Sequence, residues 1–156
     1  MWTKLGHGAG LWRSAVLSAG LLLMTAPAGQ ARSPERPVIL LSCPEGEGMQ
    51  DPLCQAMIQA LARTAVGPHV IRRVSRGDEV PGRSTDIGVA LYVSQSDDSG
   101  LAGHIEWRTE EGAVQTGSSV QAPSGDGAVS AKTFDDFASL LLNATPALIK
   151  ALAAAS

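Results

Sequence analysis

The sequence predicts an α+β fold: a two-layer sandwich in which a mixed sheet carries both helices on one face. Three observations predict it. A short, continuously apolar run, "VILLS" (Val38–Ser42), is followed by an amphipathic helical stretch. Three segments of strand character follow one another between residues 86 and 122. A second amphipathic stretch occupies the last two dozen residues. The order is β-α-β-β-β-β-α, and two such layers bury one face of the sheet against the helices.

Taken in order, "RSPERP" (32–37) has two prolines and no apolar residue, and reads as an extended leader. "VILLS" lacks a polar alternation, which suits a strand buried on both faces and central in its sheet. In "DPLCQAMIQALARTAVG", Asp51 is a good N-cap and Pro52 suits the first helical position. Leu53, Met57 and Leu61, with Cys54, Ile58, Ala62 and Ala65 beside them, form one helical stripe. Gly67-Pro68 stops it. "HVIRRVS" (69–75) is the next strand, expected parallel to the first because a helix joins them. Arg72 and Arg73 then point to opposite faces of a solvated edge. "RGDEVPGRST" is a loop of turn residues.

"DIGVALYVS" (86–94) alternates. Ile87, Val89, Leu91 and Val93 share the face expected to be core; Gly88, Ala90, Tyr92 and Ser94 share the other. "LAGHIEWRT" (101–109) places Ile105 and Trp107 on one face and His104, Glu106 and Arg108 on the other. "VQTGSSVQA" (114–122) is a polar strand that completes an antiparallel meander with one wet face. In the final segment Thr133 is expected to cap the helix, with Asp136 three residues on. Phe134, Phe137, Ala138, Leu141 and Leu142 form its apolar face, and Leu148, Ile149 and Leu152 resume it. Pro146 predicts a kink or two short helices.

The N-terminus reads as a secretory signal. Lys4 and Arg13 precede an uncharged stretch, Ser14–Met24, and small residues follow at 26, 28 and 31. Cleavage after Ala28 fits best, with Ala31 next, and the apolar run is well short of the roughly 20 residues a bilayer span needs. This divides the chain into a signal peptide (1–28), a leader (29–37) and a single domain (38–154), expected in the periplasm with no membrane insertion of the mature chain. The full chain has 12 Lys+Arg against 15 Asp+Glu. Removing Lys4 and Arg13 leaves 10 against 15, a mildly acidic balance that speaks against nucleic acid as a partner.

Cys43 and Cys54 are the only cysteines, with ten residues between them. In an oxidising compartment they are expected to pair. The spacing is neither the CxxC of redox enzymes nor half of a zinc site with a visible second half. A structural bond closing so short a loop stabilises a fold by about 3 kcal/mol.

The pattern of "VILLS", a helix, "VIRRVSR" and the Asp-led "TDIGVALYVS", followed by polar strands and a C-terminal amphipathic helix, resembles the N-terminal domain of the TolB family. It also resembles related envelope domains of the CsgG and LpoB groups. No propeller domain follows, and the cysteine pair is foreign to that pattern. The resemblance implies a non-enzymatic role in protein contacts at the cell envelope, and it implies no site residue.

From the residues themselves, Tyr92, His104, Glu106 and Arg108 are the candidate binding face. His104 and Glu106 could alternatively form an acid–base pair, or the whole row could be an ordinary wet sheet face. His69 is expected at the surface, and His7 falls in the signal. Glu45, Glu47 and Asp51 lack the spacing of an EF-hand loop. No nucleophile elbow, phosphate loop or dinucleotide fingerprint is present. The expectation is a non-catalytic exported protein that binds another cell-envelope protein, with no cofactor and no metal. A small-ligand or metal-binding periplasmic protein is the alternative.

Overall fold

Val38–Ser42 forms the strand that its apolar run predicts, β1, and it lies inside the sheet with a parallel neighbour on each side. The computed structural model describes residues 35–44, 50–124 and 128–155. The expected signal peptide, the leader up to residue 34, Glu45, Glu47 and most of the "PEGEGMQ" loop lie outside the described residues, as does the side chain of Asp51. Among the described residues the order is β1, α1 (Gln50–Thr64), β2 (Val70–Val74), β3 (Ile87–Asp97), β4 (Gly100–Thr109), β5 (Gln115–Thr116), β6 (Val120–Pro123), α2 (Ala131–Asn143) and α3 (Pro146–Ala154). The fold is α+β, with a mixed sheet ordered β2-β1-β3-β4-β5 and β6 also pairing β4.

Alternation assigns the faces correctly. Ile39 and Leu41 of β1 lie beside Ile87 and Val89 of β3, which lie beside Thr109 and Trp107 of β4. Leu91 faces Ile105 across the next pair. Against this face α1 buries Leu53, Cys54, Ala56, Met57, Ala60 and Leu61, while Ala62 of the expected stripe points outward. α2 adds Phe134, Phe137, Ala138, Leu141 and Leu142, and α3 adds Leu148 and Leu152, so one core runs between the layers. Phe137 is fully buried; truncating such a ring costs about 3–5 kcal/mol.

Several local expectations are corrected. α1 begins at Gln50, so Asp51 lies in the first turn instead of at the cap. α2 is capped by Ser130, not Thr133. The Thr133 backbone N–H donates to Ser130 Oγ at 3.3 Å, and the Ser130 N–H donates to Thr133 Oγ1 at 3.2 Å. Thr133 therefore occupies the third helical position and closes the capping box from inside. Pro146 does end one helix and start another: α2 and α3 meet at 79°. Among the described residues no single helix is long and apolar enough to cross a membrane.

The polar edge strand is interrupted. β5 pairs with Glu106 and Trp107, β6 pairs with Gly100–Gly103, and residues 117–119 bridge them. Gly117 still donates to the Ile105 carbonyl at 2.7 Å, and a Cβ on it would stand 2.4 Å from Thr145 Oγ1. The break marks where this edge passes under the α2–α3 corner, a contact only a glycine permits.

Candidate functional site

β2 and β3 both run parallel to β1, so the chain between them must return the length of the sheet. It does so without a helix. Residues 75–86 cross the face opposite α1 and α2, which the sequence predicts to be open and wet. The crossover rests directly on Gly88: a Cβ there would lie 1.9 Å from the Glu79 carbonyl oxygen. Pro81 is buried under it, and Gly88 and Ala90 are buried with it. A face expected to be flat thus acquires a wall.

The exit from this crossover is clamped. Asp86, immediately before β3, is 6 % exposed. Its carboxylate accepts the Val38 backbone N–H at 3.0 Å and two N–H groups of Arg83, at 3.0 Å from Nε and 2.9 Å from Nη2. Arg83 also donates to the Arg36 carbonyl and pairs with Glu35 at 2.7 Å. The hydrogen bonds it donates to Asp86, more than any other contact, raise the Arg83 pKa above its ordinary value. Neither residue stands out in the sequence. Asp86 reads as a strand opener and Arg83 as a loop cation, and nothing in a pattern of apolar periodicity pairs them.

Beyond the crossover, the four candidate face residues come together as the alternation predicts. Tyr92 is directly opposite His104, Ala90 opposite Glu106 and Gly88 opposite Arg108. The Tyr92 and His104 rings are stacked, with centroids 5.0 Å apart and planes 2° apart. His104 Nε2 lies 3.7 Å from Glu106 Oε1, too far for a hydrogen bond. Arg76, in the crossover, was not among the expected site residues. Its guanidinium lies 4.2 Å from the Tyr92 ring centre, and its Nη2 donates to the Leu91 carbonyl at 2.8 Å. Such a cation over an aromatic face contributes about 0.5–1 kcal/mol at an exposed site.

No family model, curated protein or solved structure matches this chain. The site therefore rests on its own geometry.

Arg108 ties the sheet to the crossover, its Nε donating to the Glu79 carbonyl at 3.1 Å. Between them lies a cavity of about 210 Å³, lined by Glu79, Gly88, Ala90, Tyr92, Glu106, Arg108 and their neighbours Trp107 and Val114. A larger open cleft, about 500 Å³, lies at the C-terminal ends of β1 and β2, with Arg73, Ser75, Arg76 and Asp78 on its sides. Among the described residues no group of three His, Cys, Asp or Glu side chains is placed to hold a metal ion.

The two cysteines are joined. Cys43 and Cys54 form a disulfide with Cα atoms 5.9 Å apart, inside the core at 7 % and 1 % exposure. It fastens the end of β1 to the first turn of α1. A buried disulfide of this kind is consistent with an oxidising compartment. His69 sits beside the Gly67 turn, with Nδ1 3.4 Å from the Gly67 carbonyl oxygen. Asp97 organises the β3–β4 turn. The Ser99 hydroxyl and backbone N–H both donate to its carboxylate, and they hold its pKa below the ordinary value.

Proposed function

We propose that this chain is an exported, non-catalytic periplasmic protein that binds another protein of the cell envelope. It docks through the sheet face opposite the helices. The observation that carries this reading is the assembly of Arg76, Tyr92, His104, Glu106 and Arg108 there, an aromatic pair set among charged groups and left partly accessible to solvent. Tyr and Arg are the residue types that dominate binding energy at protein interfaces, because they offer large contact areas with directional polar ends. Val80 and Val114 add apolar surface nearby, 55 % and 53 % exposed. The signal-like N-terminus and the disulfide support export, and the resemblance to TolB-type envelope domains supports a contact role.

The test is crosslinking of the tagged protein in its native envelope, followed by capture and mass spectrometry. The expected result is one dominant envelope protein, lost when Tyr92, His104 and Arg108 are all replaced by alanine in a chain that keeps its fold. Undiminished capture by that variant removes this face from the account. A small-ligand role is the competing reading, and the half-open cavity beside Arg108 is the observation that favours it.

A further inference from the structure

Backbone groups at the end of a sheet need partners as much as those inside it. β2 is the last strand of its sheet, with β1 on one side and, among the described residues, no strand on the other. The Val70 N–H donates to the Pro37 carbonyl at 2.9 Å. Successive residues of a strand direct their N–H and C=O groups to opposite sides. Val70, Arg72 and Val74 therefore spend theirs on β1, and Ile71 directs both of its groups away from the sheet. No hydrogen bond takes them up among the described residues. The opposite edge is broken between β5 and β6, so β2 is the longer continuous edge. A bare edge of this kind is a template for another strand.

The side chains along this edge are apolar and cationic. Val70 is 40 % exposed, Ile71 and Val74 are partly exposed, and Arg72 and Arg73 are exposed on opposite faces of the strand. From Val66 to Gly77 the sequence has three arginines and no acidic residue. Arg72 has no ion pair or hydrogen bond among the described residues. A second copy of the chain fits this edge badly. Pairing β2 with itself over its full length about a two-fold axis sets Arg72 directly against Arg72, and like charges directly opposite destabilise a strand pair. We propose that the β2 edge receives an extended acidic segment of another protein, added antiparallel to the sheet, with an acidic residue opposite Arg72 and β-branched residues opposite Val70 and Val74. The backbone groups of Ile71 supply the ladder, and Arg72 selects the sequence that joins it. Antiparallel pairing is the more stable direction per residue. This surface lies across β1 from Tyr92 and is independent of the docking reading above.

The test is a titration of the oxidised, exported protein with the peptide acetyl-Val-Glu-Glu-Thr-Val-amide, read by the backbone amide shifts of β2 and by hydrogen exchange at Ile71. In the antiparallel register its two glutamates stand opposite Arg73 and Arg72. Saturable shifts along β2 and slowed exchange of the Ile71 N–H are expected. The same peptide with lysine in place of both glutamates should bind about tenfold more weakly or worse. Ile71→Pro removes the outward N–H and leaves the bonds from Val70, Arg72 and Val74 to β1, since proline is tolerated where the N–H of an edge strand faces solvent. It should abolish the response. Because Ile71 also packs against the core, Arg72→Glu is the second variant. It changes an exposed side chain and should reverse the preference, so that the lysine peptide binds more tightly than the glutamate peptide. The proposal is overturned if the glutamate peptide gives no saturable shifts, if it binds without protecting Ile71, or if the lysine peptide binds equally well. It is also overturned if a folded Ile71→Pro binds as well as the parent, or if Arg72→Glu leaves the preference unchanged. Two other occupants would each overturn it with a distinct result. Protection of Ile71 in the protein alone, rising with its concentration, identifies a second copy. Binding to phosphatidylglycerol vesicles that is tighter than to the peptide, with Ile71 unprotected, identifies a lipid surface.

Discussion

Arg83 and Arg108 both hold the same crossover to the same sheet, and they do it in opposite ways. Arg83 lies in the segment itself and is enclosed by Asp86, Glu35 and the Arg36 carbonyl. Its charge is balanced within the chain. Arg108 reaches from β4 to one backbone carbonyl, that of Glu79, and among the described residues no carboxylate lies within ion-pair distance of it. Two arginines of the same chemistry thus fasten the crossover differently, one by ion pairs at its end and one by a single hydrogen bond along its length.

That contrast can be broken by stability measurements in urea. Asp86→Ala should have the largest effect, a loss of about 3 kcal/mol, because it orphans the Val38 N–H and strips Arg83 of the partner that accepts two of its N–H groups. Arg83 keeps a third of its surface in water, which holds the loss at the low end for a broken buried pair. Gly88→Ala comes next, at about 2 kcal/mol, since the added methyl must push the Glu79 carbonyl off the sheet. It should also alter the cavity that Gly88 lines with Arg108. Tyr92→Ala should cost only about 1 kcal/mol, the worth of an exposed stack and a cation over its ring. If Tyr92→Ala destabilised as much as Asp86→Ala, the face would be a structural element and the contrast would collapse.

The smallest effect concerns pH. Asp97 is held below its ordinary pKa by the Ser99 hydroxyl and N–H. Its contribution to the β3–β4 turn is therefore present above the unfolded carboxylate's pKa and is lost as pH falls through the lower folded value. Asp97→Asn should flatten that dependence in the Ser99 and Gly100 amide exchange rates, while the amide exchange of Gly88 and Ala90 under the crossover stays unchanged. A variant that moved both would couple the turn to the crossover and sharpen the comparison.

Much of the candidate site was legible because strand side chains alternate with a period of two. Once "DIGVALYVS" and "LAGHIEWRT" are strands with Ile87 and Ile105 inward, Tyr92, His104, Glu106 and Arg108 must share the outward face, and they do. The cysteine pair was legible from compartment and count alone. Arg76 was not, because it lies in a loop, and loop residues have no period to report where they fold. The cap of α2 was misplaced by three residues for a related reason. Ser130 and Thr133 are both capping types, and only the helical turn they close decides which is outside and which is inside.

The order of elements, the core faces of α1, β3, β4 and α2, the break at Pro146 and the disulfide were determined by the sequence itself, through local periodicity, proline chemistry and redox pairing. The tertiary structure alone decided that the β2–β3 connection crosses the outer face, that Gly88 is its footing, that Asp86 and Arg83 lock its end, and that a cavity opens beside Arg108. Those features depend on where a chain lies when it must return between parallel strands, and on close approach of backbone to backbone. Neither leaves a repeating signature in the residues, since the contacts join segments through space and a glycine records only that something is near, not what.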